Sequence, residues 1–548
     1  MNPLNINSGN DSSTPEQPQR EEAPAGFSIG REVIVYEKSK SPFFDLPDLE
    51  KSLIFRYLGL REITRLKRVC KYFHDLVENN RTLERAWIRQ FPSPFQSQLK
   101  TIVRTKDEQQ LRNWVQAFAD MSTVESLMEQ QKNIYFPAQL FFINSKLMSQ
   151  CKTFKLVEKI EIIHDKKVQT VNFSHDERHL ATASDDKTAK IYHQKTDGSW
   201  EPKAVISHKG VVASTKFSPD DRHMVTVSYD KTAKIYRLGD DGSWQQKTTV
   251  GHYGWSYSVN FSPDGQHLVT ASDDNTATIY GLDEDEQWGV KNTISHKGMI
   301  TSATFSADGC NLVTVSVDSV KVSSQLDDGS WAVEGAIHER YIASARLSSD
   351  GRHLVISGLA AGVKIYGQGA AGSWVKKATF SHRSLINSTS FSADSCHLVT
   401  ASSDRTAKIC HLQDDGSWQE ITRIHHDSEV FAANFSADCR HVVTASKDNT
   451  AKIYSLQDDG SWKEQACISH KGAVNSANFS ADCLHVVTAS DDNMVKISGL
   501  QLDGSWREKA TIQHNNKVTS ASFSTDSRNL VTVTKDNKVR ITELRKKD

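Results

Sequence analysis

The side chains best suited to chemistry in this chain are its 21 histidines, which recur with aspartate and serine at fixed spacing. One column holds His164, His208, His252, His296, His338, His382, His426, His470 and His514. In step with it run Asp186, Asp230, Asp274, Asp318, Asp404, Asp448, Asp492 and Asp536, with Ala360 in the fifth place. A set such as Ser228, His208 and Asp230 has the types of a nucleophile, its base and an orienting acid. Histidines in number invite a metal as well. Repetition argues against both. Equivalents in successive repeats cannot converge on one ion, and a triplet present in nearly every repeat suits a structural hydrogen-bond network better than a single active site. The expectation is therefore no catalytic residue, no metal and no cofactor. The eight cysteines, Cys70, Cys151, Cys310, Cys396, Cys410, Cys439, Cys467 and Cys483, show no C-x-x-C spacing and read as free thiols of a reducing compartment.

The elements that must position these residues are themselves periodic. Nine residues after each His comes Phe173, Phe217, Phe261, Phe305, Leu347, Phe391, Phe435, Phe479 or Phe523, and a Trp column runs through Trp200, Trp244, Trp288, Trp331, Trp374, Trp418, Trp462 and Trp506. The period is 44 residues. Within one repeat, alternation of β-branched and aromatic residues with polar ones predicts strands over 211–217, 223–228, 232–236 and 244–250. Asp241-Gly242 marks a hairpin, because Gly accepts positive φ. The Trp column reads as outer-strand packing. A second column, His179, His223, His267, His353, His397, His441 and His485, is equally repetitive.

Outside the repeats, residues 1–40 are rich in Asn, Ser, Pro, Glu and Gln and read as a disordered tail. Residues 43–91 have a helical apolar pattern, with Asp45 as a cap before Leu46-Pro47. Residues 92–153 read as a helical connector. Charge is balanced, with 66 basic against 67 acidic residues, so no nucleic-acid partner is indicated. No 18-residue apolar run predicts a membrane span.

The repeats resemble the WD-repeat family over 154–543. A His precedes the first strand, a Ser-x-Asp turn precedes the third, and Lys-Ile-Tyr stands where the family usually ends in Trp-Asp. Only Gly251-His252 keeps the family's Gly-His. The resemblance implies a mainly β fold, a β-propeller of nine repeats by count, with seven or eight blades as alternatives. The fourth and fifth repeats are the irregular ones: the fourth is short and the fifth lacks both Phe and Asp. The last repeat runs out of chain before its Trp position, so the strand 154–163 should complete the final blade and close the ring.

Residues 43–91 resemble the F-box, an all-α domain, through Leu46-Pro47, Leu49, Ile54, Tyr57-Leu58, Ile63, Leu66, Val69-Cys70-Lys71, Leu76 and Trp87. In that family the helices dock on the linker subunit of a cullin-based ubiquitin ligase. The resemblance implies that Leu46, Pro47, Leu49, Ile54, Leu58, Ile63 and Val69 supply the apolar contact. Nearby Arg61, Arg65, Lys67, Arg68 and Lys71 suit an acidic partner surface. A helical bundle with only its own core is the alternative.

What varies between repeats, on the face carrying the His loops, should bind. Tyr229, Tyr253, Trp255, Met299, Arg340, Tyr341, Arg383, Phe431 and Lys447 depart from their columns, and aromatic residues with Arg dominate hot spots. Arg340 and Arg383 could together hold a phosphate or carboxylate. The expected function is a non-catalytic substrate receptor of an SCF-type ubiquitin ligase, binding the linker subunit and a target protein. The alternative is a WD-repeat scaffold, including an effector that mimics host receptors. The expected location is the cytoplasm, with the nucleus or a host cytoplasm as alternatives.

Overall fold

The computed structural model describes residues 153–546 apart from 196, 284–285, 327–328, 359–361, 370–372, 458 and 502–503. The tail, the helical region 43–91 and the connector lie outside the described residues. Within them, thirty-six strands, β1–β36 in chain order, form nine four-stranded antiparallel sheets. Blade one is β2 (Val168–Phe173), β3 (His179–Ser184), β4 (Thr188–Gln194) and β5 (Trp200–Ser207). Blade two, at Val212–Phe217, His223–Ser228, Thr232–Leu238 and Trp244–Gly251, matches the predicted strands to within two residues at each end. The count is nine: the irregular fourth and fifth repeats both build complete blades.

Closure is as expected. The strand β1 (Phe154–Ile163) pairs with β36 (Lys538–Lys546), whose other neighbour is β35 (Asn529–Thr534), so the first strand is the outer strand of blade nine. Phe154 there takes the place of the missing Trp and lies 5.4 Å from the His485 ring. Lys159 meets Glu543 at 2.7 Å, and Lys538 and Arg540 each meet Glu161 at 3.1 Å, lacing the seam.

The core lies between blades rather than within them. Second strands such as His179–Ser184 are buried along their whole length, because a neighbouring blade covers each face. Ala181, Ala183 and Ile191 of blade one pack with Phe217, Met224 and Tyr236 of blade two. Ile162, Val531 and Ile541 of blade nine pack with Leu180 and Trp200 of blade one, which joins the ring's two ends. The second His column has the same use: His179 lies edge-on to Trp244 of the next blade at 5.6 Å, with Phe217 5.7 Å from the same Trp.

At the end of the ring opposite the His loops, each turn between first and second strands contains a residue of positive φ, among them Glu177, Asp221, Gly265, Ser395, Cys439 and Cys483. Where it has a side chain, that side chain can cap the preceding blade. Asp221 accepts from the His175 and Asp176 amides (2.5 and 2.7 Å), and Ser395 from the Asp350 amide (3.1 Å). At the closure, Glu177 accepts from the Thr525 amide and hydroxyl and, at 3.3 Å, the Asp526 amide. Burial, with the neighbouring Asp526 carboxylate, holds Glu177 well above the usual carboxylate range. A carboxyl raised in this way stabilises the ring fully below its unfolded pKa, and the contribution is lost as pH rises through the folded value.

Glu177→Gln keeps the acceptor and has nothing to ionise, so its melting temperature should equal or exceed that of the parent, with the gap widening from about pH 5 to 8. Glu177→Ala strands the three donors and should cost about 1–3 kcal/mol. Melting curves at both pH values check this; a Gln variant less stable than the parent at pH 8 contradicts a raised Glu177.

Candidate functional site

The His loops and the turns between second and third strands share one face of the ring, and one network builds it. In blade two, His208 Nδ1 meets Asp230 Oδ2 at 2.9 Å and its Nε2 meets Thr226 Oγ1 at 2.8 Å. Asp230 also accepts from the Lys209 amide (2.9 Å) and the Thr232 amide and hydroxyl (3.1 and 2.6 Å). Ser228 Oγ accepts the Asp230 amide at 3.0 Å. The hydroxyl on the imidazole is thus that of Thr226, a column the sequence reading overlooked, while Ser228 holds a turn. With the imidazole and its side chains in this cage, the triplet ties loop to turn. The arrangement recurs at His164, His252, His382, His426 and His470. Burial alone would raise the carboxyls of Asp230, Asp404 and Asp448, but the bonds from Thr, from the backbone amide after each His and from the His itself outweigh it and hold them down to about 2.

Three blades depart. In blade four the turn is one residue shorter, so His296 Nδ1 meets Ser319 Oγ at 2.8 Å, while Asp318 accepts from Ser316 and Ser319. In blade five the shortening corrects the column: Glu339, whose amide bonds the Asp318 carbonyl at 3.2 Å, stands where the other repeats have His, and His338 is exposed. Glu339 there accepts from Lys364 and, at 2.8 Å, from Tyr366. In blade nine Asp536 accepts from Thr534.

The nine variable residues form separate groups. Tyr229 stacks on Trp255 with rings 5.3 Å apart and 14° from parallel, and Tyr257, absent from the expected set, closes edge-on to Tyr229 at 5.6 Å. Trp255 is half exposed and Tyr253, two residues before it, is 94% exposed. Gly254 between them is required: a Cβ there would stand 1.8 Å from Asp273 Oδ1 and 2.6 Å from the Asp274 amide nitrogen. Met299 is exposed at the same loop position of blade four. Tyr341, 65% exposed at φ 60°, and exposed Arg340 are at the blade-five loop. Phe431 is half buried in the first strand of blade seven, and Lys447 pairs with Glu429 at 3.0 Å. Arg383 lines a cleft of blade six whose lining does not include Arg340, so the expected arginine pair is not assembled there. Its partners in the cleft, Arg405 and Arg423, were legible as departures from their own columns.

Burial pushes His296 and His514 down to about 4. A histidine lowered on folding stabilises fully above its unfolded value of about 6.5, and the contribution is lost as pH falls towards 4. His514→Gln should therefore lower the melting temperature at pH 7 yet lose less on acidification to pH 5 than the parent does. An unchanged slope between those pH values would contradict a neutral buried His514.

The family model for the WD domain, G-beta repeat, matches residues 157–193, 200–237, 243–280, 374–411, 418–455, 462–497 and 506–542. The F-box-like model matches residues 43–86. The stretch 281–373, which holds all of blade four's strands and three of blade five's, lies between two WD matches, and this is where the shortened turn and the displaced column occur. No curated protein matches the chain. Among solved structures, the C-terminal WD40 domain of Sif2 is 16% identical, with 61% of this chain and 95% of that one covered at a TM-score of 0.47. Saccharomyces cerevisiae Sqt1 is 13% identical, with 60% and 95% covered at 0.47. With an F-box-like domain at its start and WD repeats building a nine-bladed ring, the chain is an F-box/WD-repeat protein.

Proposed function

We propose that the chain is the substrate-recognition subunit of an SCF-type ubiquitin ligase. The observation that carries this reading is the presence, in one chain, of an F-box-like segment and a closed propeller with exposed aromatic side chains on one face. The F-box-like segment docks the linker subunit through Leu46, Pro47, Leu49, Ile54, Leu58, Ile63 and Val69. Ubiquitin transfer belongs to partner subunits, and this chain contributes no catalytic group.

The target protein sits on the face built by the His loops, with the aromatic group of blades two to four as its anchor. Tyr229, Trp255 and Tyr257 hold one another by ring contacts, so they lose little side-chain freedom on binding. Tyr253 and Met299 offer apolar area beside them. Rigid aromatic side chains of this kind supply most of the energy of a protein interface. The reading places the protein in the cytoplasm or nucleus, where the ligase machinery works.

The test mixes the purified full-length chain with the linker subunit of a cullin ligase. The intact chain should bind, and Leu46→Asp with Pro47→Ala should weaken binding by about a hundredfold, since it buries a charge in an apolar contact, without moving the melting temperature of the propeller. An intact chain that fails to bind leaves a WD-repeat scaffold in place of a ligase receptor.

A further inference from the structure

The ring repeats its chemistry so closely that a blade which breaks the pattern in one direction stands out, and blade six does so on its outer rim. There a cleft of about 530 Å³ is lined by His382, Arg383, Asp404, Arg405, Arg423 and His425, among others. Its strands are β24 (Thr406–Leu412) and β25 (Trp418–His425). Lys408, also in the lining, lies directly across from Arg423 in the β24–β25 register. Like charges opposed in this way repel. Glu420 relieves the repulsion by accepting from Lys408 at 2.9 Å and from Arg423 at 2.7 Å. Lys408 further donates to the Ser381 carbonyl at 2.8 Å and is buried. Its charge is spent inside the fold.

The remaining cations face outward. Arg383 and Arg405 are exposed and carry no ion pair among the described residues; Arg423 is held by Glu420 through Nε at 2.8 Å and a terminal nitrogen at 2.7 Å, yet keeps 47% of its side chain in solvent, with its other terminal nitrogen left for a ligand. The one carboxylate in the lining, Asp404, is occupied by His382, the Arg383 amide and Thr406. None of this is inherited from the repeat. Where blade six has Arg423, other blades have Val205, Thr249, Thr293, Ala336, Thr379, Cys467 and Thr511. Where it has Arg405, at φ 72°, four blades have Asn275, Asn449, Asn493 and Asn537, the residue type that best tolerates the left-handed region. The next blade offers Asp427 at the loop position that Arg383 holds in blade six, so on that side the row of arginines is broken by an acid. A polynucleotide needs a basic track that continues along its backbone, whereas a short acidic segment needs only the one cleft.

We infer that the rim of blade six binds an acidic segment of a partner polypeptide, with Arg383, Arg405 and Arg423 taking its side-chain carboxylates. Guanidinium groups pair with carboxylates through two parallel hydrogen bonds, and three of them converge on one concavity. The cleft is many times the roughly 30 Å³ share of a water molecule, which gives room for several side chains of a peptide. This site lies apart from the aromatic group of blades two to four, and it stands whether or not the F-box-like segment docks a ligase.

The experiment measures binding of a fluorescent ten-residue Glu/Asp-rich peptide, and of its Gln/Asn counterpart, to the full-length chain by anisotropy. Arg405→Asn with Arg423→Thr restores residues that the ring itself uses at those positions, so the fold is retained. The control, Lys187→Asn with Lys231→Asn in blades one and two, removes the same charge elsewhere on the same face. The acidic peptide should bind, and its affinity should fall about tenfold or more in the blade-six variant but less than about twofold in the control. Equal losses in both variants, or equal binding of the acidic and neutral peptides, would overturn the proposal. Inorganic phosphate is titrated as a third ligand; if it binds with the same dependence on Arg405 and Arg423 while the acidic peptide does not, the cleft is a small-anion site and the polypeptide partner is wrong.

Discussion

Every sheet in this molecule has two edges, and the ring depends on the last outer edge finding a partner. Without β1, blade nine would be a three-stranded sheet whose bare β36 exposes a row of backbone donors and acceptors, the template for unwanted pairing. The strand Phe154–Ile163 supplies that partner from the other end of the chain. The pairing is a chain-closure event spanning nearly four hundred residues, whose entropic cost grows only slowly with loop length. The seam is correspondingly built up, with ion pairs around Glu543 and Glu161 and a carboxyl, Glu177, bridging blade one to the turn at Thr525. Phe154 completes the aromatic contact that Trp makes elsewhere.

Once closed, the ring distributes labour between repeated and unrepeated residues. The repeated ones are scaffolding. In six of the nine blades His, Asp and Thr tie the loop to the turn of its own blade, the second His column and the Trp column stack one blade on the next, and left-handed turns such as those of Glu177, Asp221 and Ser395 cap their neighbours at the far end. A His–Asp pair in such a cage has its hydrogen-bonding capacity filled by Thr and backbone amides, which leaves little with which to act on a ligand. The residues immediately after each His are free of these duties. Tyr253 and Arg383 occupy that position in blades three and six, and Arg340 does in blade five once Glu339 is recognised as standing in the His column. Variation there costs the fold little, because the backbone amide of that residue, and not its side chain, bonds the Asp.

Blade five shows how far the network can change without loss of the blade. A shortened turn in blade four moves Asp318 off His296, and in the next repeat Glu339 takes the His place and is held by Lys364 and Tyr366, members of the ordinary Lys and Tyr columns. Both blades keep four strands because their apolar columns are intact: Val313, Val315, Val320 and Val322 pack against Ile342, Leu354, Ile356 and Tyr366. The polar network sets loop geometry; the apolar contact between blades sets the fold.

The blade count, the strand positions, the closing strand and the scaffolding role of the histidines were all legible from the residues, because period-two alternation, turn chemistry and a 44-residue period act locally and repeat. The F-box-like segment was legible for the same reason, as a short pattern of apolar residues and a Leu-Pro start. Other features required the third dimension. Thr226 and its equivalents look like ordinary strand residues until the second strand brings them under the imidazole. The expected pairing of Arg340 with Arg383 rested on similar positions in adjacent blades, whereas the cleft that Arg383 lines is shared with Arg405 and Arg423, which the loop, the turn and the outer strand of blade six bring to one place. Tyr229 and Trp255 come from different blades and stack only because the ring places one turn beside the next loop. A repeat makes each blade predictable from its own residues, whereas a binding surface is made of contacts between residues far apart in the chain, and those are decided by how the blades pack.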